Sequence, residues 1–291
     1  MTNDAVGIRR FADRIRTRDY WAAILPRMAT HDSWEIPDEA ALVRLEETFR
    51  REGYFQLDRI VPGSIVGHLR RAVETMHAMG SPLAFAFLDD SFWSTMAALS
   101  AVLKKLLGLD YQQLPDFWAW RLDPQREDAG WRPHRDKGFQ ALLPDGSPKS
   151  LTLWINLTDV TPLNGCMYVV PAHLDPPSAY VDKPDPRIPA NMQDIRALPA
   201  PAGTVFGWNQ AILHWGGRSS RRAIEPRISF ACEFQRGDVP PWNQPLLDPH
   251  NPPSFELRLA LIGKQILQYR HMYGLSESMA QVASLLASTI S

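Results

Sequence analysis

The stretch "WRPHRDKGFQ" sets His134 and Asp136 two residues apart behind a proline, with Arg132, Arg135 and Lys137 around them. In an extended segment, residues i and i+2 point to the same side, so this imidazole and this carboxylate can reach one point together. Two chemistries fit: a surface ion pair, or two ligands of one metal. A non-haem iron(II) centre uses two neutral imidazoles and one carboxylate on one face of the ion and leaves the remaining positions open. The third ligand must then come from a distant segment folded opposite. His214 in "AILHWGG" is the candidate, because an apolar run delivers it and two glycines follow. The expected metal ligands, and with them the catalytic residues, are His134, Asp136 and His214.

A His-x-Asp pair is frequent by chance, and the chain holds a second one, His173-x-Asp175 in "PAHLD". Chain length separates the two. Between Asp136 and His214 lie 77 residues with three strand-like runs, enough to wrap a barrel and return. Between Asp175 and His214 lie 38, mostly a proline-rich stretch that offers few strands. His173 is therefore assigned to packing at a strand end.

Strand parity supplies the walls. In "LTLWINLT", Leu151, Leu153, Ile155 and Leu157 face one way, and Thr152, Trp154, Asn156 and Thr158 the other, as suits a wall between core and ligand cavity. In "PRISFACEF", Ile228, Phe230, Cys232 and Phe234 form the apolar face. Arg227 and Ser229 share the opposite face and could grip a carboxylate, the guanidinium with two donors and the hydroxyl with one. Arg218, Arg221 and Arg222 read as solvated loop charges; Arg132, Arg135 and Lys137 read the same way, with attraction of an anionic substrate as the alternative. Trp118, Trp120, Phe139 and Trp208 lie close in sequence to the ligands and are the candidate substrate-pocket residues, with plain core packing as the alternative for each.

Helices must hold this core. "PDEAALVRLEETFRREG" reads as a helix from about 37 to 52, and "PGSIVGHLRRAVETMHAMG" as a second with Ile65, Leu69, Val73 and Met76 inward. "SFWSTMAALSAVLKKLLG" reads as a third, capped by Ser91 and stopped by Gly108. His68 and His77 are taken as surface or structural. The short runs "YFQL", "FWAWRL", "LTLWINLTDV", "CMYVV", "GTVFGW" and "PRISFACEFQ" are strands split by Pro and Gly. No helical run separates the later ones, so an antiparallel jelly roll fits better than parallel winding. Two more helices close the chain. The organisation expected is one domain over 1–291: helical support to about 110, a β-barrel core over about 111–237, and helices over about 238–291. The excursion "KGFQALLPDGSPKS" and residues 171–202, which carry eight prolines, are the candidate lid.

Composition excludes little but points one way. Hydrophobic residues make up 45% and charged residues 22%, with a net charge of −1, so no field favours nucleic acid or an anionic membrane. No apolar run is long enough to span a bilayer, and "MTNDAVGIRRFADRIRTRDYW" has no apolar core of signal-peptide length. Cys166 and Cys232 sit in apolar runs without a CxxC and read as buried thiols. A cytoplasmic protein with a small-molecule partner, acting as monomer or homodimer, is expected.

Taken in order, "HRD", "LTLWINLTDV", "NGCMYVVPAH", "LHWGG" and then "RISFACEF", with Arg227 thirteen residues after His214, resemble the phytanoyl-CoA dioxygenase family of Fe(II)/2-oxoglutarate oxygenases. "FRREGYFQLDRIVPGSIVGHLRRAV" resembles that family's helix–strand–helix lead-in, and the likeness covers roughly residues 40–235. Where the family often shows Pro-Gly-Ser/Thr-His, this chain has the shorter Pro171-Ala172-His173. The resemblance implies a mainly β fold with flanking helices, a double-stranded β-helix of the cupin-like kind. It implies Fe(2+) on His134, Asp136 and His214, with 2-oxoglutarate as co-substrate bound by Arg227, Ser229 and Trp154, O2 as oxidant and ascorbate as an activator in vitro. Asn164-Gly165 would form the turn toward "CMYVVP". The expected reaction oxidises, and in the simplest case hydroxylates, a C–H bond of a small organic molecule such as a secondary metabolite. With Asp136 present, halogenation is not expected. The alternatives are a cupin-like metal hydrolase or isomerase, and a barrel that binds a ligand without turnover.

Overall fold

A computed structural model describes residues 3–27, 34–176 and 191–288. In chain order its elements are α1 (Asn3–Ile15), α2 (Arg18–Ala22), α3 (Glu39–Glu52), β1 (Tyr54–Leu57), α4 (Gly63–Ala78), α5 (Asp90–Ala98), α6 (Ser100–Leu107), β2 (Gln112–Leu122), β3 (Ser150–Asn156), β4 (Met167–Val170), β5 (Arg196–Leu198), β6 (Val205–Asn209), β7 (Leu213–Gly216), β8 (Arg227–Gln235), α7 (Phe255–Gln268), α8 (Arg270–Tyr273) and α9 (Glu277–Ala287). All pairings are antiparallel: β1-β6-β3-β8-β2 in one sheet and β5-β4-β7 in another. The fold is thus mainly β with flanking helices, a jelly roll of two sheets, and the described strands do not pair into a closed barrel.

The period-2 alternation decides what each face of the larger sheet does. Leu151, Leu153 and Ile155 of β3 and Ile228, Phe230, Cys232 and Phe234 of β8 bury against the helices, in a core shared with Leu69, Val73 and Met76 of α4 and Leu259 and Ile262 of α7. The opposite face carries Trp118, Trp154, Phe206, Trp208 and Ala231. These meet Met167 and Val169 of the smaller sheet in a second apolar cluster. A one-residue slip of β3 or β8 would exchange the two faces, so this register is what brings polar and aromatic side chains between the sheets.

The helices follow their local signals with two departures. Asp38 caps α3 by accepting from the Ala41 amide, and Gly53 ends it at φ 77°, a left-handed conformation that favours glycine. The third expected helix is two: the Leu99 amide reaches back only three residues, to Met96, so α5 tightens and ends there and α6 begins again at Ser100. Its cap is Asp89, whose carboxylate accepts from the Ser91 amide, rather than Ser91 itself. Of the two histidines read as surface or structural, His68 is structural, buried and paired with Asp89 at 2.7 Å, and His77 is exposed. Both cysteines are free and buried, as expected.

No described helix is long and apolar enough to cross a membrane. Of the candidate lid, residues 177–190 lie outside the described residues. The excursion over 137–150 starts at Lys137, which pairs with Glu233 of β8 at 3.0 Å. It folds on itself through the Asp145 carboxylate, which accepts from the Ser147 amide, and its tip sits beside Phe49 and Leu106 of the helical layer.

Candidate metal centre

His214 enters on β7 and His134 on a short extended segment, and the backbone locks the two together. Each donates its amide to the other's carbonyl at 3.0 Å, forming a single antiparallel bridge. The ring centroids are 4.4 Å apart. Asp136, two residues after His134, turns to the same side. Its Oδ1 lies 3.3 Å from His134 Nε2 and 3.5 Å from His214 Nε2. One ligand atom from each of the three side chains falls within 4.8 Å of the others, a cluster that could hold one cation. The expected triad is therefore brought together across 77 intervening residues.

Hydrogen bonds set which atoms face the centre. His134 Nδ1 donates to the Arg132 carbonyl at 2.8 Å and His214 Nδ1 to the Ile212 carbonyl at 3.2 Å. A carbonyl only accepts, so each Nδ1 carries the proton and each Nε2 keeps its lone pair. His134 Nε2 is buried, and its near neighbour is the Asp136 Oδ1 that shares the cluster. Asp136 Oδ2 is turned away by two donors, Thr152 Oγ1 at 2.8 Å and Trp208 Nε1 at 3.1 Å, which leaves Oδ1 for the centre. Charge follows the same layout. Burial holds His214 down to about 4, so it is neutral at physiological pH. Burial disfavours the Asp136 carboxylate, but its histidine neighbours and the hydrogen bond from Thr152 hold its pKa below the ordinary carboxylate value. At His134 burial is outweighed by the Asp136 carboxylate, which raises the pKa, whereas a cation takes both rings in their neutral form; two imidazoles and one carboxylate suit a divalent first-row metal.

The triad opens into a cavity between the sheets with about 430 Å³ of space, solvent at its mouth included. Trp118, Trp120, Trp154 and Trp208 line it, joined by Trp131, which stands three residues before His134 in the sequence, and by Met167, which no sequence pattern marked. Arg227 also lines it. Its guanidinium is 2% exposed, stands 5.6 Å over the Trp154 ring and donates to the Gly165 carbonyl at 2.6 Å. Among the described residues it meets no carboxylate. Burial lowers its pKa to about 10, still charged at neutral pH. Close backbone contact makes the room: a side chain on Gly216 would stand 2.9 Å from the Gly130 Cα and 3.1 Å from Arg227 Nη1. The Ser229 hydroxyl is buried on the same strand face without a partner. Gly165 turns at φ 88° beside Asn164, which bonds back to Thr161 and Asp159, as the expected turn requires.

Three expectations are corrected. Phe139 does not line the cavity; its ring lies under the Arg135 guanidinium at 4.4 Å. Arg135 and Lys137 are not solvated but form buried ion pairs, with Asp175 at 2.8 Å and Glu233 at 3.0 Å. The second His-x-Asp is thereby explained: Asp175 anchors the loop that carries the first pair, and His173 sits 3.7 Å from Glu52 in a short turn after β4. No local pattern marks Tyr269, whose ring packs 5.2 Å from Trp118.

The phytanoyl-CoA dioxygenase (PhyH) family model matches residues 70–223, more than half of the chain. The chain belongs to this family. Solved structures agree on the fold. The non-heme alpha-ketoglutarate-dependent epimerase SnoN from nogalamycin biosynthesis, in complex with Fe3+, alpha-ketoglutarate and nogalamycin RO, is 20% identical with a TM-score of 0.55 over 75% of this chain and 97% of its own. The carbocyclase SnoK from the same biosynthesis is 18% identical with a TM-score of 0.56, over 75% of this chain and 100% of its own. The non-heme monooxygenase ThoJ, as its nickel complex, is 16% identical with a TM-score of 0.55, over 82% and 99%. No curated protein matches the chain by sequence.

Proposed function

We propose that this PhyH-family protein is an iron(II)- and 2-oxoglutarate-dependent dioxygenase, its whole length one oxygenase domain. It oxidises, in the simplest case hydroxylates, a C–H bond of a small organic molecule while 2-oxoglutarate and O2 become succinate and CO2. The observation that carries the reading is a pairing within one cavity: a His134–Asp136–His214 donor cluster, and a buried Arg227 that meets no carboxylate among the described residues. A cupin-like hydrolase or isomerase needs the first and has no use for the second.

His134, Asp136 and His214 would hold the iron, with Thr152 and Trp208 keeping Asp136 Oδ1 on it. Arg227 would take the far carboxylate of 2-oxoglutarate, away from water and above the Trp154 ring, and the unpartnered Ser229 hydroxyl would add a donor. Bound iron with 2-oxoglutarate and O2 supplies the oxidising power; the protein supplies position and dryness. The tryptophans hold water off the reacting carbon, and the Asp136 carboxylate takes the place a halide would need.

The test is a turnover screen with Fe(2+), 2-oxoglutarate, O2 and ascorbate against secondary metabolites. Succinate release coupled to a product heavier by one oxygen is the expected result. Metal-dependent conversion without 2-oxoglutarate consumption would put the hydrolase or isomerase in its place. Ligand binding unchanged in His134→Ala, with no oxygen uptake on any compound, would leave only a non-catalytic barrel.

A further inference from the structure

The five tryptophans of the cavity fall into two groups. Trp154 and Trp208 are engaged and buried: one lies beneath Arg227, and the other donates to Asp136 with its ring 4.7 Å from that of His214. Trp118, Trp120 and Trp131 form a separate corner. Trp131 meets Trp118 edge to face at 5.5 Å and Trp120 at 5.4 Å, and it reaches the metal cluster with its ring 5.1 Å from His134. Trp120 and Trp131 are only half-buried, which puts the open side of the cavity here.

The corner is braced from behind. Tyr269, just past the end of α7, packs on Trp118, and its hydroxyl donates to the buried Asp116 carboxylate at 3.2 Å. Asp116 also accepts from Asn243 and Gln268, so the brace is tied at three points. Tyr269 lies outside the residues that match the family.

Two features give the corner its chemistry. The first is charge. Among the described lining residues the charged ones are Asp136 and Arg227. With a divalent ion and a dianionic co-substrate in place, these four charges cancel, and nothing in the lining is left to pair with a charged substrate. The second is a donor. Trp118 is 5% exposed, and its buried Nε1 has no hydrogen-bond partner. An indole N–H only donates, and one left buried and unmatched carries a penalty that a ligand oxygen would remove.

Building on the oxygenase reading above, we propose that the Trp118–Trp120–Trp131 corner is the substrate-recognition subsite and takes an uncharged, ring-bearing molecule whose carbonyl or ether oxygen accepts from Trp118 Nε1. The ring packs edge or face on the indoles, with Trp131 setting its distance from the metal.

Calorimetry on the full-length protein loaded with nickel(II) and 2-oxoglutarate tests this without turnover. The probes are 1-tetralone, tetralin (the same rings without an acceptor), 1-naphthoate and 1-naphthylmethylammonium. The expected result is that 1-tetralone binds about fivefold more tightly than tetralin, and at least about tenfold more tightly than either ion. Trp118→Phe, which keeps a ring and loses the donor, should bring 1-tetralone down to the tetralin level and leave tetralin unchanged. Equal affinity of tetralone and tetralin for the unmodified protein would overturn the proposal, and so would an ion bound as tightly as the ketone or no heat from the ketone at all. Uptake of 2-oxoglutarate, measured first, separates the two levels: its failure removes the oxygenase reading and this subsite with it, whereas its success without the tetralone preference removes the subsite alone.

Discussion

Replacing Arg227 by methionine should stabilise the resting fold and cripple 2-oxoglutarate binding, two opposite effects of one charge. The guanidinium is 2% exposed and donates to one backbone carbonyl, and its Nε has no partner. Burial holds it at about 10 instead of its ordinary 12.5, which at neutral pH corresponds to roughly 3 kcal/mol of destabilisation relative to an unburied arginine. The sign follows from its being a base with a lowered folded pKa. The penalty is full below about pH 10, where the folded group is protonated, and fades as the pH rises toward the unfolded value. Methionine keeps much of the apolar stem and removes the charge. Subtracting about 1 kcal/mol for the lost bond to Gly165 leaves a gain of about 1–3 kcal/mol, in the range seen when buried charges are replaced by apolar residues. That is a rise of several degrees in Tm by calorimetry of the metal-free protein. Binding should move the other way. Losing the buried partner of a carboxylate costs about 2–5 kcal/mol, or roughly 30-fold to several thousandfold in Kd. Titration of 2-oxoglutarate into nickel-loaded protein reads this directly, and metal affinity, measured separately, should hold. A variant that binds 2-oxoglutarate within threefold of the parent, or one that is destabilised with affinity intact, refutes the assignment of Arg227.

Three further perturbations probe the surroundings. Thr152→Val removes one of the two donors that hold Asp136 Oδ2, and iron affinity should drop about 10- to 100-fold in an equilibrium dialysis assay, with Thr152→Ser recovering most of it. His214→Ala should lower bound iron to background by metal analysis while the circular dichroism spectrum of the sheets is kept, since the His134–His214 bridge is made by backbone atoms. Phe230→Ala takes a buried ring away from Phe87 and Phe92, on the face of β8 that looks away from the cavity. It should cost about 3–5 kcal/mol in urea unfolding and leave metal affinity in the folded protein unchanged.

Much of the site was legible because it depends on period and spacing. The two-residue step from His134 to Asp136 and the alternation in β3 and β8 foretold which side chains share a face, and the register of the larger sheet bears this out. The length of chain between Asp136 and His214 favoured the right His-x-Asp pair. What was misread depends on contacts made at a distance. Arg135 and Lys137 stand in a polar stretch that looks solvated, and only the fold brings Asp175 and Glu233 to them. Phe139 is near the ligands in sequence, yet the local turn over Phe139–Ala141 leaves it against Arg135 instead of the cavity. Tyr269 reaches Trp118 from the junction of α7 and α8, more than a hundred residues on, and no local pattern marks it. The break between α5 and α6 escaped notice because both halves share one apolar pattern and no Gly or Pro interrupts it.

The proposed chemistry needs His134, Asp136 and His214 to meet at one cation beside a bound 2-oxoglutarate. Anaerobic titration of the protein with iron(II) and 2-oxoglutarate, followed by visible absorbance, tests that most directly. A charge-transfer band that saturates at one iron per chain and disappears in Asp136→Ala and His214→Ala is the predicted result. No band in the parent protein, or an undiminished band in either variant, would contradict it.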